Sequence, residues 1–387
     1  MPSLYLTAST SEAPDLNHCS LPAGPLDLKP SQSTTLFPTE LNDDEKFWSA
    51  RYFFLLDRCL ELRPRYRPGW TASWLGTNKN PSYCEDSIQL MLHMVLDARR
   101  KTDGKVVCLK MLKRKTEEAE IAQYLYSKRL KNDPRNHCVP IYDHFWDPIS
   151  PEMHYLVMPV LRPFDDPEFG AVGEVTDFVS QVLEGMTFIH SHLVAHEDLT
   201  TQNIMMDARP LYPQGWHFVD SNYSPDGIHR LTPLARIDNP VRYYIIDYDC
   251  SVRLKPGQPH LIHGDGGRDP DVPELMELHP FDPFKVDVFT VGNMLFKEFY
   301  RKYLGLDFLS VLINNMMAEN PEHRPTAEMA LAQWNKIKAI IKPSTARNRL
   351  RKPDESMGER VVLDTVAIAR QGLHGLRALF RDDPTAW

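Results

Sequence analysis

His196-Glu197-Asp198-Leu199-Thr200-Thr201-Gln202-Asn203, running into Ile204-Met205-Met206, and Tyr244-Ile245-Ile246-Asp247-Tyr248-Asp249 further on decide how this chain is read. The first stretch sets carboxylates and an amide in one loop ahead of a short apolar run, and the second is an apolar strand that ends in carboxylates. Taken alone, Asp198 is a loop cap and Asn203 a turn residue, because both side chains readily bond nearby backbone. The surroundings are ordered. Before the loop, Val175 to His192 carries Phe178, Val179, Val182, Leu183, Met186 and Ile189 on one helical stripe. After it, helices are expected at 283–300, 308–317 and 326–341.

Towards the N-terminus the period changes. QLMLHMVLDA from Gln89, a turn at Asp103-Gly104 and then KVVCLKML read as a hairpin, since Asp-Gly between two apolar runs is a strong turn signal. A charged helix at 116–129 and the apolar strand HYLVMPVL follow. Strands first and helices second make an α+β chain with two lobes, a small β-rich N-lobe over 86–162 and a larger helical C-lobe over 163–342. Residues 208–240 (PLYPQGW, SPDG, DNP) are an inserted surface loop inside the C-lobe, expected to contact a partner or substrate. Residues 1–40, rich in Ser, Thr and Pro, form an expected disordered arm. An N-terminal helix and extension occupy 41–85, capped by Asn42 with Glu45 bonding back, and carrying Phe47, Trp48, Tyr52, Leu55, Leu56, Cys59 and Leu60 at helical spacing. A basic linker (TARNRLRK) and a last amphipathic helix on Val362, Val366, Leu373, Leu376 and Phe380 fill 343–387.

Composition narrows the field. The chain has 387 residues and 52 acids against 44 bases, for a net charge of −8. That balance argues against a nucleic-acid partner, whose phosphates call for a basic surface. No apolar run reaches the ~18 residues needed to span a bilayer, and the start MPSLYLTASTSEAP has neither the basic region nor the apolar run of a secretory signal. Cys19, Cys59, Cys84, Cys108, Cys138 and Cys250 lie far apart with no Cys-x-x-Cys pair, which suits reduced thiols in an intracellular, cytoplasmic or nuclear protein with no membrane attachment.

The motifs resemble those of the protein-kinase family. H-x-D-L-x-x-x-N is that family's catalytic loop, and I-I-D-Y-D stands in the place of its D-F-G. The resemblance covers roughly residues 90 to 340. It implies a two-lobed kinase-like fold, ATP and Mg²⁺ as cofactors, and a protein substrate or protein partner. Phosphoryl transfer needs a carboxylate near the acceptor hydroxyl, here Asp198, and an amide oxygen plus a second carboxylate for Mg²⁺, here Asn203 and Asp247. Val107-Cys108-Leu109-Lys110 looks like the family's V-A-I-K, so Lys110 is implied at the phosphates. Its helix partner is best matched by Glu120, with Glu117 and Glu118 as competitors. By the same resemblance the Pro159 carbonyl and the Leu161 N–H read the adenine edge, and Met205 forms its apolar floor. Val272-Pro273-Glu274, Asp287-Val288-Phe289-Thr290-Val291-Gly292 and His323-Arg324-Pro325-Thr326 resemble A-P-E, D-V-W-S-x-G and R-P-T. They imply a buried Glu274–Arg324 pair and an Asp287 that accepts backbone N–H bonds from the His196 loop. RPRYRPGW, DPRNHCVPIYD and DPFKVDVF look like a fungal branch of kinase-like proteins.

The chain also departs from the pattern. No G-x-G-x-x-G precedes Lys110; only Gly69 and Gly76 are near. Glu197 replaces an Arg that grips a phosphorylated activation loop, and Val252 to Glu274 contains no Ser, Thr or Tyr. Thr200 stands where many kinases place a Lys that contacts the transferred phosphate. Asp249 replaces the Gly of D-F-G, and it either points into the cleft towards Asn203 and Asp247 or turns away to cap Cys250-Ser251-Val252. The trio His190, His192 and His196 offers too few ligands for zinc. Asp265, Asp269, Asp271 and Glu274 lack the spacing of a calcium loop. TARNRLRK reads as solvated linker before nuclear signal or phosphate patch. Three functions follow, in order: a Ser/Thr protein kinase, a pseudokinase serving as a binding or scaffolding module, and a small-molecule phosphotransferase. The Glu274 and Arg324 motifs speak against the third.

Overall fold

The structure is a computed structural model that describes residues 37–114, 116–263, 267–276, 279–367 and 369. Residues 1–36 of the arm expected over 1–40, and the helical positions Leu373, Leu376 and Phe380, lie outside the described residues.

Helix α1 (Asp43–Ser49) starts as its sequence dictates. Asn42 accepts from the Glu45 N–H at 2.9 Å and Glu45 accepts from the Asn42 N–H at 3.0 Å, a closed capping box. Helix α2 (Tyr52–Asp57) follows, and the helical run stops short of the expected Leu60 because Cys59 takes a positive φ of 62°. Leu60 instead opens strand β1 (Leu60–Leu62), which pairs antiparallel with β2 (Val95–Arg100). The first strand of the sheet therefore lies inside the segment expected as an extension. β2 returns through a turn at Gly104, whose φ of 73° suits a residue without a Cβ, into β3 (Val106–Lys113). Helix α3 (Glu118–Leu125), β4 (Asp143–Trp146) and β5 (Met153–Pro159) complete a five-stranded antiparallel sheet in the order β1-β2-β3-β5-β4. One face of this sheet buries Leu96, Leu109, Met111, Tyr155 and Val157 against Trp48, Tyr52 and Leu55 of the first two helices.

Residues 63–94 connect β1 to β2 in the place of the family's tight glycine turn. They form short 3₁₀ turns (Pro64–Tyr66, Pro81–Tyr83, Glu85–Ser87) held by buried charges. Arg65, fully buried, donates to Glu45 at 2.6 and 3.0 Å and lies over the Trp70 ring. Asp86 accepts from Trp70, the Ser73 N–H and the Ser73 hydroxyl. Such a connection is a structured cap; its glycines, Gly69 and Gly76 at φ of 77° and 66°, each serve a separate turn and lack the G-x-G-x-x-G spacing.

The C-lobe begins with β6 (Arg162–Pro163) and the long helix α4 (Val172–Ser191), whose expected stripe is buried throughout. β7 (Val194–Ala195), β8 (Ile204–Asp207), β9 (Arg242–Ile245) and β10 (Val252–Arg253) form two small sheets, β6-β8-β9 and β10-β7. Helices α5 (Pro283–Leu295), α6 (Ser310–Met316) and α7 (Ala327–Ile340) surround α4 and share one apolar core with it. The stretch expected as a solvated linker is instead tied down. The Val172 N–H donates to Asn348, the Leu350 N–H to Gly170, and Arg349 pairs with Glu355 and Asp364. Residues 357–367 are helical.

The 208–240 insert is likewise docked rather than free. Arg162 lies over the Tyr212 and Trp216 rings. Further along, His217 Nε2 is 3.4 Å from Glu85 Oε1 and 3.4 Å from Arg63 Nη1. Arg63 also holds Glu85 at 3.2 Å and the Asp97 carboxylate at 3.0 Å, the latter an ion contact out of line with its N–H. The insert thus joins the C-lobe to the connection between β1 and β2.

Candidate active site

The loop between β7 and β8 is anchored from below by Asp287 of α5, which is fully buried. Its carboxylate accepts from the His196 and Glu197 N–H groups, each at 2.8 Å, and His190 Nε2 is 2.8 Å away. Two charge-assisted bonds to adjacent amides hold Glu197 at a φ of 63°, a conformation that costs about 1 kcal/mol or more without such support. His196 Nε2 reaches the Ile246 carbonyl at 2.9 Å, joining the loop to the end of β9. There Asp247, also at positive φ (64°), turns its carboxylate towards the N-lobe.

Lys110 on β3 meets that carboxylate at 2.8 Å and Glu118 Oε1 at 2.6 Å. Burial opposes its charge, but the two carboxylates outweigh burial and hold its pKa above the ordinary range. Asp247 is held below the usual carboxylate range, Lys110 outweighing burial again. The expected helix partner Glu120 is corrected here to Glu118. Helix α3 starts at Glu118, so residues 118, 121, 122 and 125 share the buried face, while Glu120 points to solvent.

Asp198 is 2 % exposed. Asn203 donates through Nδ2 to the Asp198 carbonyl at 2.9 Å and to Oδ2 at 2.7 Å. Oδ1 of Asp198 is buried with no hydrogen bond among the described residues, an unsatisfied acceptor of the kind that marks a site for an incoming donor. Burial raises the Asp198 pKa, partly offset by Arg268, His196 and Asn203. The amide oxygen of Asn203 and the second oxygen of Asp247 accept no hydrogen bond among the described residues, which leaves two hard oxygen donors of the kind Mg²⁺ takes.

Asp249 faces the site, within electrostatic reach of Asp198 and Glu118, and bonds an arginine there instead of capping the backbone that follows. Its Oδ2 accepts from Arg268 Nη2 at 2.9 Å, and Arg268 Nη1 is 3.9 Å from Asp198 Oδ2. The Ser251 N–H donates to the Tyr248 carbonyl instead of to Asp249. Arg268 was not among the residues singled out from the sequence, and the sequence holds no signal for it. It is one basic residue in GGRDPD, brought across from a separate segment.

The supporting pair forms as the resemblance implied. Arg324, 2 % exposed, binds Glu274 through two parallel bonds of 2.5 and 2.8 Å and also donates to the carbonyls of Ala318, Lys285 and Glu319. At the junction of the lobes Pro159 closes β5 opposite Val107, half-buried Leu161 follows, and Pro163 two residues later pairs with Met205. Pro159, Leu161 and Met205 are thus brought to one region. The remaining acids have other partners: Asp269 and Asp271 accept from Asn293, and Lys297 lies 2.6 Å from Asp271, while Asp265 is outside the described residues.

Residues 93–305, more than half of the chain, match the family model described as the protein kinase domain. Two curated mouse proteins are similar. Sperm motility kinase 1 is 28 % identical over 185 residues, covering 42 % of this chain and 32 % of that protein. Sperm motility kinase Tcr mutant form is 24 % identical over 211 residues, covering 48 % and 37 %. The chain spans about a third of the length of these curated relatives. Among the described residues no helix is long and apolar enough to cross a membrane.

Proposed function

Because the chain belongs to the protein kinase family, we propose that it transfers the γ-phosphoryl group of ATP to a Ser or Thr hydroxyl of a protein, with Mg²⁺ at the phosphates. The observation that carries this reading is the unclaimed Oδ1 of buried Asp198, in the same loop as Asn203 and beside the Asp247–Lys110–Glu118 chain. Asp198 orients the acceptor hydroxyl and takes its proton through Oδ1. Lys110, kept charged and positioned by two carboxylates, neutralises the α- and β-phosphates. Asn203 and Asp247 would hold Mg²⁺, which when bound neutralises and orients the phosphate oxygens. The Pro159 carbonyl and the Leu161 N–H take the adenine edge, with Met205 beneath it.

Thermal unfolding with ATP and Mg²⁺ against Mg²⁺ alone tests the binding half. A ligand at ~100 times its Kd adds about 2.7 kcal/mol, readily seen as a higher Tm. Asp198→Asn and Lys110→Met test the chemistry. The first keeps the Tm gain and loses transfer, whereas the second loses the gain. Equal transfer by Asp198→Asn and the parent chain sinks the assignment.

A second reading, a pseudokinase acting as a binding or scaffolding module, is favoured by one specific observation. The connection over 63–94 replaces the turn whose backbone amides would cover the phosphates. No Tm gain with ATP, together with retained folding, selects it. A small-molecule phosphotransferase is disfavoured by the Glu274–Arg324 pair.

A further inference from the structure

Transfer of a phosphoryl group spreads negative charge over its three equatorial oxygens, and cations or donors aimed at that charge carry most of the acceleration. Lys110 is committed to Glu118 and Asp247 on the N-lobe side. On the acceptor side the catalytic loop brings no cation, since Thr200 is neutral and the residue after His196 is an acid. Among the described residues one guanidinium stands there. Arg268 comes from a segment outside the loop, places Nη1 3.9 Å from Asp198 Oδ2, and is fastened through Nη2 to Asp249 at 2.9 Å. The 3.9 Å gap is too long for a hydrogen bond, so among the described residues only one of the five guanidinium N–H donors is spoken for by a carboxylate in the site. Asp249 and Arg268 also cancel each other's charge. The acidic substitution beside Asp247 thereby has a partner instead of adding bare repulsion.

We propose that Arg268, held by Asp249, is the residue that contacts the transferred phosphoryl group from the acceptor side, substituting for a cation that position 200 of the catalytic loop lacks. The inference rests on the phosphotransfer reading above and adds a residue to it. In the step itself the acceptor oxygen bonds to the γ-phosphorus as the bond from phosphorus to the β–γ bridging oxygen breaks. The electron pair of that bond leaves with the β-phosphate, and the acceptor proton goes to Asp198. Arg268 gives and takes no atom; its free N–H groups meet the equatorial oxygens. Asp249 is a positioning residue that fixes the guanidinium beside Asp198.

The test needs no identified protein substrate. With the full chain and Mg²⁺, calorimetry compares ADP with ADP plus aluminium fluoride, whose fluoride complex imitates the phosphoryl group in flight. The parent chain binds the fluoride complex about 30-fold or more tighter than ADP, Arg268→Ala loses about tenfold or more of that preference, and ADP affinity itself stays within about twofold. Asp249→Asn loses part of the preference. Thr200→Lys added to Arg268→Ala recovers it, which a merely structural role for Arg268 would not allow. Because Arg268 is partly exposed, the Tm of Arg268→Ala stays within about 2 °C of the parent. A preference unchanged by Arg268→Ala makes the arginine a surface ion pair and overturns the proposal while leaving the kinase reading intact. Tighter ADP binding in Arg268→Ala identifies a plug and overturns it too. A parent chain that binds neither ligand at millimolar concentration refutes the phosphotransfer reading itself, and the proposal with it.

Discussion

Lys110 Nζ lies 2.6 Å from Glu118 Oε1, joining strand β3 to the first residue of helix α3 only eight positions further on. Glu118 is 3 % exposed and Glu120 faces solvent, so two neighbouring acids on one helix have opposite energetic weight. Truncating Glu118 leaves buried Lys110 with Asp247 as its remaining carboxylate and opens a gap in the core, whereas changing an exposed acid does little. Glu118→Ala is expected to lower unfolding free energy by about 2–4 kcal/mol and Glu120→Ala by no more than about 0.5 kcal/mol, read from urea titrations. Equal losses at the two positions would contradict the helix phase described above.

Glu197 gives stability a pH dependence of unusual sign. Burial, helped by the Asp287 charge, pushes its carboxyl pKa up to about 8. In the unfolded chain a glutamate titrates at ~4.3. Between those values the folded chain keeps a proton that the unfolded chain has released, so raising the pH through this window costs stability. Glu197→Gln cannot ionise. Its advantage over the parent is expected to be near zero at pH 4, to grow up to about pH 8 and to level off above it, followed as the difference in unfolding free energy. A difference that stays flat across this range refutes the shift.

Arg324 is closed off from water, Glu274 is mostly so, and Arg324 satisfies three carbonyls as well. Arg324→Met leaves a buried carboxylate alone and is expected to cost about 3–5 kcal/mol. Changing both residues to Met restores part of that loss, because two buried charges vanish together. Chemical denaturation of the single and double variants, treated as a cycle, measures the coupling. A double variant no better than the single one would argue that Arg324 works mainly through its carbonyl bonds.

Arg63 is 8 % exposed at the contact between the β1–β2 connection and the C-lobe insert. Arg63→Met removes its ion pairs with Glu85 and Asp97 and leaves Asp97 buried without a cation, at a cost of about 3 kcal/mol. Because His217 Nε2 lies 3.4 Å from both Arg63 and Glu85, the two sides of the contact should loosen together. Amide exchange is therefore expected to rise in 85–88 and in 217–223 alike. Acceleration confined to one of these segments would show that the insert does not hold the connection.

What was legible in the residues was everything carried by short-range pattern. The stripe from Val175 to Ile189 reads as helix because apolar positions recur with the helical period, and α4 buries all of them. The Asp103-Gly104 turn, the Asn42–Glu45 capping box and the loop holding Asp198 and Asn203 are local in the same way: each partner lies within five residues of the other. The partner glutamate of Lys110 was partly legible. Glu118 is in phase with Ile121, Ala122 and Leu125, but the phase counts only once the helix start is known, and helix ends are weakly marked.

The tertiary structure alone decided the rest. Arg268 and Asp249 are both partly exposed, lie 19 positions apart and belong to no periodic pattern, so nothing local announces their meeting beside Asp198. Arg63 and His217 are 154 positions apart, and each would read as an ordinary surface residue. Their burial is set by how the insert folds back on the connection from β1 to β2. Periodicity records which face of an element avoids water, and it names no partner across the fold. Partners are chosen when distant segments close on each other and each buried charge must find an opposite one or pay the cost of leaving water.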